Sequence, residues 1–251
     1  MNWSFLSTQK ISQVYYQNFY SQCYFCKIKH NTLICNNCLN GFSFNKSHCE
    51  KCKLPTETII HLCGQCQQKP PQYKQLIAPL IYKDLAKALI TSLKFSNQLH
   101  SCHPLCLILA QELIENYGND DTSNWPDVII PVPSHIERIR ERGFCHMKKL
   151  SKCLSNYLPI NIPVQFDLLL KTQYTSPQHE LTKKQRSKLK ANSFSCPSTV
   201  PKHIALFDDV VTTGATLDAC ITKLQEAGAI EIDVWSLTRT PPIKTTIEKQ
   251  A

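Results

Sequence analysis

Short apolar runs and helical stripes alternate along the second two-thirds of the chain. Residues 204–207 (IALF) form an apolar run with no turn former, as a buried strand does. Leu217, Ile221, Leu224 and Ala227 then recur at helical spacing, and Gly228 stands where a C-terminal cap glycine belongs. Ile230, Ile232, Val234 and Leu237 predict a second strand, ended by Pro241-Pro242. Strand, helix and strand in that order predict a right-handed parallel crossover. Upstream, Leu85, Leu89 and Leu93 share a helical face with Ala86 and Ile90, and Leu105, Leu109 and Leu113 mark another buried helix. Val128 to Ile130 predict a strand that runs into a stiff loop through Pro131 and Pro133, with Ser134 as the cap of a following helix. The expected fold class is therefore α/β, a mainly parallel sheet flanked by helices.

The first third reads differently. Trp3, Leu6, Ile11, Val14, Tyr15 and Phe19 form a loose helical face over residues 1–20, an adaptor that packs on the neighbouring domain. Eight of the 14 cysteines then fall in four C-x2-C pairs: Cys23/Cys26, Cys35/Cys38, Cys49/Cys52 and Cys63/Cys66. Two residues between thiolates let a tight turn aim both sulfurs at one ion, and a second turn closes a four-thiolate tetrahedral site. The spacing predicts two structural zinc ions in sequential ribbons over residues 21–68. A cross-braced pairing, first with third and second with fourth, satisfies the same spacing. His30, His48 and His61 read as loop residues, and Cys102 and Cys106 as small core residues.

Composition narrows the setting. No run of 18 apolar residues exists and the N-terminus lacks a secretory pattern, which predicts a cytoplasmic protein that does not span a membrane. Cysteines in such a compartment more often hold metal than disulfides. The formal charge is +9, and two four-thiolate zinc sites, each −2, would leave +5. That balance suits phosphate-rich partners. Lys27, Lys29, Lys46, Lys51 and Lys53 line the cysteine turns and point to nucleic acid, although a solvated lysine surface has the same composition.

Two stretches carry candidate chemistry. Asp208 and Asp209 lie at the C-terminal end of the 204–207 strand, where open α/β sheets bind ligands. Thr212, Thr213, Gly214, Ala215 and Thr216 follow, and hydroxyls with unpaired amides at a helix start favour an anion. Adjacent carboxylates can accept from two vicinal hydroxyls or help hold Mg²⁺. Phosphate on one side and a diol on the other describe a phosphorylated ribose. No P-loop lysine follows the glycine. The second stretch is the 133–142 loop and helix: Pro133 stiffens it, and Arg138 and Arg142 share a helical face. With Lys94 they form a basic group suited to pyrophosphate. Pairing with Glu137 and Glu141 on a solvated helix accounts for the arginines equally well.

LFDDVVTTGAT (206–216) resembles the phosphoribosyl pyrophosphate (PRPP) loop of type I phosphoribosyltransferases. The resemblance implies a type I phosphoribosyltransferase-like fold, with Asp208 and Asp209 at the ribose hydroxyls. Residues 212–216 would surround the 5′-phosphate, with Mg²⁺ accompanying PRPP. Purine-salvage members place a carboxylate base at the position of Thr212, so its absence points away from that branch. Together with DVIIPVPSHIERIRERGF (127–144), YKDLAKALITSLKF (82–95) and the cysteine pairs, the chain resembles the ComF family of competence proteins from Cys23 to Arg239. That resemblance implies a part in natural transformation, handling incoming single-stranded DNA on the cytoplasmic side of the inner membrane beside other DNA-uptake proteins. An active transferase on an unidentified acceptor is the alternative. Two departures stand out: Cys145-His146 replaces the family's Asn-Gln, and Leu189 stands where an Asn often follows Arg186 by three residues. Both remove amides from the ligand region.

Residues 171–203 are polar and basic, with Lys183, Lys184, Arg186, Lys188 and Lys190, and resemble in place the mobile lid of phosphoribosyltransferases. A DNA-tracking loop and a plain surface loop fit the same composition. The predicted organisation is an adaptor at 1–20, a double ribbon at 21–68, an α/β domain at 72–240 and a tail at 241–251.

Overall fold

The computed structural model describes residues 21–95, 99–118, 122–172 and 193–242. The expected adaptor (1–20), the basic stretch 173–192 and the tail from 243 lie outside the described residues.

Two short helices, α1 (Asn36–Leu39) and α2 (Gly64–Gln68), follow cysteines of the first third. The α/β part runs β1 (Gln75–Ile77), β2 (Leu80–Ile81), α3 (Asp84–Phe95), α4 (Cys102–Tyr117), β3 (Val128–Pro131), α5 (Ile136–Arg142) and α6 (His146–Ser155). Then come β4 (Leu170–Lys171), β5 (Phe194–Ser195), β6 (His203–Val211), α7 (Ala215–Glu226) and β7 (Glu231–Arg239). The main sheet is parallel, in the order β1-β7-β6-β3, and β2 continues along β7 beyond β1. The parallel crossover expected from β6, α7 and β7 is present. β4 and β5 form a separate antiparallel pair that brackets the 173–192 stretch.

Alternation along the central strands feeds two cores. Ala205, Phe207, Trp235 and Leu237 face α4 and α6, while Ile204, Leu206, Ile232 and Val234 face Leu217, Ile221 and Leu224 of α7. Helix α4 is buried nearly all round, as its run CHPLCLILA requires. In α3 the inward residues are Ala86, Leu89, Ile90 and Leu93; Leu85 is only half-buried.

Several local expectations change. Strand β6 does not stop at 207: the β-branched Val210-Val211 continue it, paired with Thr238 and Arg239, so both aspartates sit inside the strand. His135, not Ser134, caps α5, its Nδ1 accepting from the Glu137 amide at 3.2 Å. Gly143, at φ 74°, ends α5 in the left-handed region and lets the chain restart as α6, a helix that the residue pattern did not announce.

The cysteine-bearing third is not a free appendage. Leu33, Ile34 and Phe42 join the core that contains Leu80 and Ala86, and Phe44 pairs antiparallel with Leu80 at the sheet edge. Asn45 donates its amide to Pro79 O at 2.7 Å, and Ile81 donates to Ser43 O at 2.8 Å.

Candidate functional site

The four C-x2-C pairs assemble sequentially: Cys23, Cys26, Cys35 and Cys38 form one tetrad, and Cys49, Cys52, Cys63 and Cys66 the other. Within each, the ligand atoms lie within 4.8 Å of one another, which decides between the ribbon and cross-braced arrangements. The two tetrads are built alike. A backbone amide donates to the first sulfur, Cys35 N to Cys23 Sγ at 3.4 Å and Cys63 N to Cys49 Sγ at 3.2 Å. Lys27 and Lys53 follow the second cysteine in the left-handed region, φ 59° and 54°. Burial opposes the Cys23 thiolate, but backbone donors prevail and hold the thiol down at about 6. Burial and the neighbouring sulfurs push Cys38 up to about 12. Four thiolates therefore cannot share either site without a cation between them. The Cys26–Cys35 and Cys52–Cys63 sulfur separations, 3.7 and 3.6 Å, match the edge of a tetrahedron. With Zn–S near 2.3 Å that edge is about 3.8 Å. The residues fit structural zinc.

At the C-terminal end of β6 the aspartates separate in environment. Asp209 is 5% exposed and engaged from two helices. Lys94 of α3 places Nζ 2.7 Å from its Oδ2, and His146 of α6 places Nε2 at 3.0 Å. Arg142 Nη1 donates to His146 Nδ1 at 3.4 Å. Nε2 is then the protonated nitrogen facing the carboxylate, a tautomer assigned from the network. Burial works against the Asp209 charge, but His146 and Lys94 hold its carboxyl below the usual carboxylate range. Asp208 is half-buried, and its Oδ1 accepts from the Asp209 amide at 2.9 Å. Burial and the Asp209 charge push it up to about 7. Neighbouring carboxyls thus differ in protonation near neutrality, the arrangement that lets one act as anion while the other exchanges a proton.

The loop beyond them is open. Thr212 and Thr213 are exposed, and Gly214 at φ 80° turns the chain into α7. A Cβ on Gly214 would meet nothing within 4 Å, so backbone conformation alone demands glycine. Ala215 and Thr216 supply the first amides of α7, and Ala215 N reaches Thr213 Oγ1 at 3.4 Å.

The basic group divides. Lys94 and Arg142 join the Asp209 network; Pro133 is half-buried beside α5; Arg138 is exposed and outside that network. Of the turn lysines, Lys27, Lys29 and Lys46 are exposed. Lys51 is tied to the Tyr73 carbonyl at 2.7 Å and Lys53 to His48 at 2.9 Å.

Two residues of the region were not legible in the sequence. His146 counted there only as a lost amide, yet it replaces that amide with a ring donor on Asp209. Arg239 is 2% exposed and donates to backbone carbonyls of both the second tetrad and the loop. A cation closing the apolar strand VWSLTR was the available signal.

The site thus defines an α/β protein with two cysteine tetrads and an acidic strand end facing a threonine-rich helix start. DNA utilization protein YhgH of Shigella flexneri is 33% identical over 209 residues, covering 82% of this chain and 90% of that protein. Competence protein F of Haemophilus influenzae is 30% identical, covering 76% and 84%. Competence protein ComFC of Bacillus subtilis is 24% identical, covering 85% and 87%. The chain belongs to the ComF family that these proteins represent. No family model matches it. Similar solved structures include hypoxanthine phosphoribosyl transferase of Trypanosoma cruzi, 14% identical, with TM-score 0.37 over 57% of this chain and 76% of that one. That similarity is too slight to assign chemistry. No helix among the described residues is long and apolar enough to cross a membrane.

Proposed function

We propose that the chain is a zinc-ribbon factor of DNA utilization or uptake that binds a PRPP-like phosphoribosyl ligand and single-stranded DNA on the cytoplasmic side of the membrane. The observation that carries the ligand reading is the β6–α7 turn. Asp208 and Asp209 lie in the last half of β6, Gly214 takes the left-handed conformation, and the first amides of α7 follow. Those amides and the hydroxyls of Thr212, Thr213 and Thr216 would hold the 5′-phosphate. Asp208, half-buried and with no cation at hydrogen-bonding distance among the described residues, would take a ribose hydroxyl or share Mg²⁺. Asp209 is already paired with Lys94 and hydrogen-bonded to His146, so it would orient this part of the strand, with Arg142 behind His146 as a cation for an incoming pyrophosphate.

Zinc in the two tetrads would contribute folding free energy, on the order of 10 kcal/mol per site. On that reading residues 21–68 form the ribbon unit and 72–240 the α/β unit. The names of the relatives support the DNA assignment, and the exposed Lys27, Lys29, Lys46 and Arg138 offer phosphate contacts whose strength would fall steeply with salt.

Calorimetry with PRPP and Mg²⁺ tests the proposal, comparing zinc-loaded wild type with Asp208→Asn/Asp209→Asn. Micromolar binding lost in the variant is expected; no binding by folded wild type overturns the ligand reading. A catalytic reading also has one feature in its favour, the adjacent carboxyls in unlike settings, Asp209 paired with Lys94 and Asp208 pushed upward by burial and by the Asp209 charge. It requires acceptor-dependent release of pyrophosphate from PRPP.

A further inference from the structure

Three cysteines outside the ribbons meet in the core. Cys102 and Cys106 lie one turn apart on α4, and Cys153 comes from α6. All three are buried, at 5%, 0% and 6% exposure. His103, half-buried beside them, points Nδ1 at the Cys153 sulfur, 3.6 Å away. The ligand atoms of Cys102, His103 and Cys153 all lie within 4.8 Å of one another. We infer that Cys102, His103 and Cys153 form a third metal site, a zinc-binding centre clamped between α4 and α6 and separate from both ribbon tetrads.

One edge of the group has the length that a coordinated ion would set. With Zn–S near 2.3 Å and Zn–N near 2.0 Å, a tetrahedral ion sets its S···N edge at about 3.5 Å. The 3.6 Å separation of Cys153 Sγ and His103 Nδ1 matches that edge as closely as the ribbon sulfurs match theirs. The charge also balances. Two thiolates and one neutral imidazole cancel a divalent cation, so the core would enclose no net charge. Cys106 stays a neutral thiol, donating to Leu150 O at 3.6 Å. The Tyr157 hydroxyl lies 2.7 Å from His103 Nδ1 and would give up that lone pair to the metal. Exposed His100 stacks on His103, centroids 6.4 Å apart, and marks the entry side.

Binding is a proton exchange. Entry of one hydrated Zn²⁺ would form two Zn–S bonds and one Zn–N bond while one of its own waters keeps the fourth position, and two thiol protons would leave to solvent, with no change in redox state. Affinity should therefore rise with pH.

The test counts zinc in the full chain after saturation with Zn²⁺ under reducing conditions and gel filtration. Three ions per chain are expected for wild type and for Cys106→Ala, and two for Cys153→Ala and His103→Ala. His103 lies at the edge of the core, so His103→Ala removes a ligand without opening a cavity. In the Co²⁺-substituted protein it should abolish one sulfur–nitrogen spectral component and leave the four-sulfur component intact. Two ions in wild type, or three in every variant, would overturn the inference.

Discussion

Arg239 donates from Nε to the carbonyl oxygen of Cys52, 2.9 Å away, and so ties the last strand of the sheet to a ligand of the second cysteine tetrad. The same guanidinium donates from Nη1 to Val211 O at 2.9 Å and to Thr212 O. One buried cation thus spans the tetrad turn and the first residue of the threonine-rich loop. A four-thiolate zinc site carries −2, so its charge would favour the guanidinium held against it. Arg239 therefore joins the tetrad turn to the loop through their backbone carbonyls, a route by which metal loading would bear on the loop.

Replacing Arg239 with Met keeps the bulk and removes the donors. Buried carbonyls left unpaired should cost about 3 kcal/mol, read as a drop in the urea midpoint at unchanged slope. Chelating the second tetrad in wild type should increase protease cleavage at 211–214. In Arg239→Met that cleavage should be high with or without metal.

Asp208 gives a pH signature. Its folded carboxyl stands at about 7, above the ordinary value of 3.8, so the native state binds the extra proton. Its contribution is fully present below the unfolded value and is lost as pH rises from about 4 through 7. Asp208→Asn should flatten that decline and raise stability at pH 8. The gain is on the order of 2 kcal/mol, because each tenfold change in proton affinity is worth about 1.4 kcal/mol and water screens a half-buried group. Thermal melts of both proteins between pH 4 and 8 measure it.

Asp209 runs the other way. Its depressed carboxyl contributes stability above the usual carboxylate range, lost as pH falls through that range. His146→Ala removes one of its two donors and should cost about 1–2 kcal/mol at pH 7, with acid unfolding beginning at higher pH. His146→Gln, which restores an amide donor, should recover most of that loss. Equal losses in the two variants would mean that the hydrogen bond contributes nothing.

At the opposite end of the strands, Asp233 is fully buried and accepts from Tyr117 Oη at 2.6 Å and His203 Nε2 at 3.0 Å. Trp235 Nε1 in turn donates to Tyr117 Oη at 3.0 Å. Asp233→Ala should destabilise by about 2–3 kcal/mol, since it leaves the buried Tyr117 hydroxyl without its acceptor while His203 keeps Glu231 at 3.1 Å. PRPP affinity of the remaining folded fraction should be unchanged, which separates this network from the ligand loop.

Gly214→Ala isolates backbone strain. Open space surrounds the position, but φ is 80°, which costs a residue with a Cβ about 1–2 kcal/mol. Weaker PRPP binding is expected if the variant relaxes the loop, and lower thermal stability if it keeps it.

Local pattern was enough for the elements and for much of the chemistry. Periods of two and 3.6 are written in neighbouring residues, so the strand at 204–207, the stripe from Leu217 to Leu224 and the crossover to β7 could be read directly, although Ile230, expected in that strand, stands exposed before it. The cysteine turns could be read for the same reason, because C-x2-C is a local geometry. Strand length was less legible: Val210 and Val211 extend β6 only because β7 offers them ladder partners. The cap at His135 depended on a side chain that propensity ranks below Ser134.

Packing decided what separation along the chain hides. The four C-x2-C pairs could close sequentially or crosswise, and in the folded chain each tetrad is made of consecutive pairs. Lys94, His146 and Asp209 stand on three elements, and only the stacking of α3 and α6 over one face of the sheet brings their polar atoms within 3.0 Å. Cys102 and Cys153 meet by the same helix packing, and Arg239 reaches Cys52 only because β7 lies between the ribbon edge and β6. Short-range order comes from backbone and side-chain preferences of adjacent residues. These long-range meetings come from burying both faces of one sheet, a constraint that belongs to the whole chain.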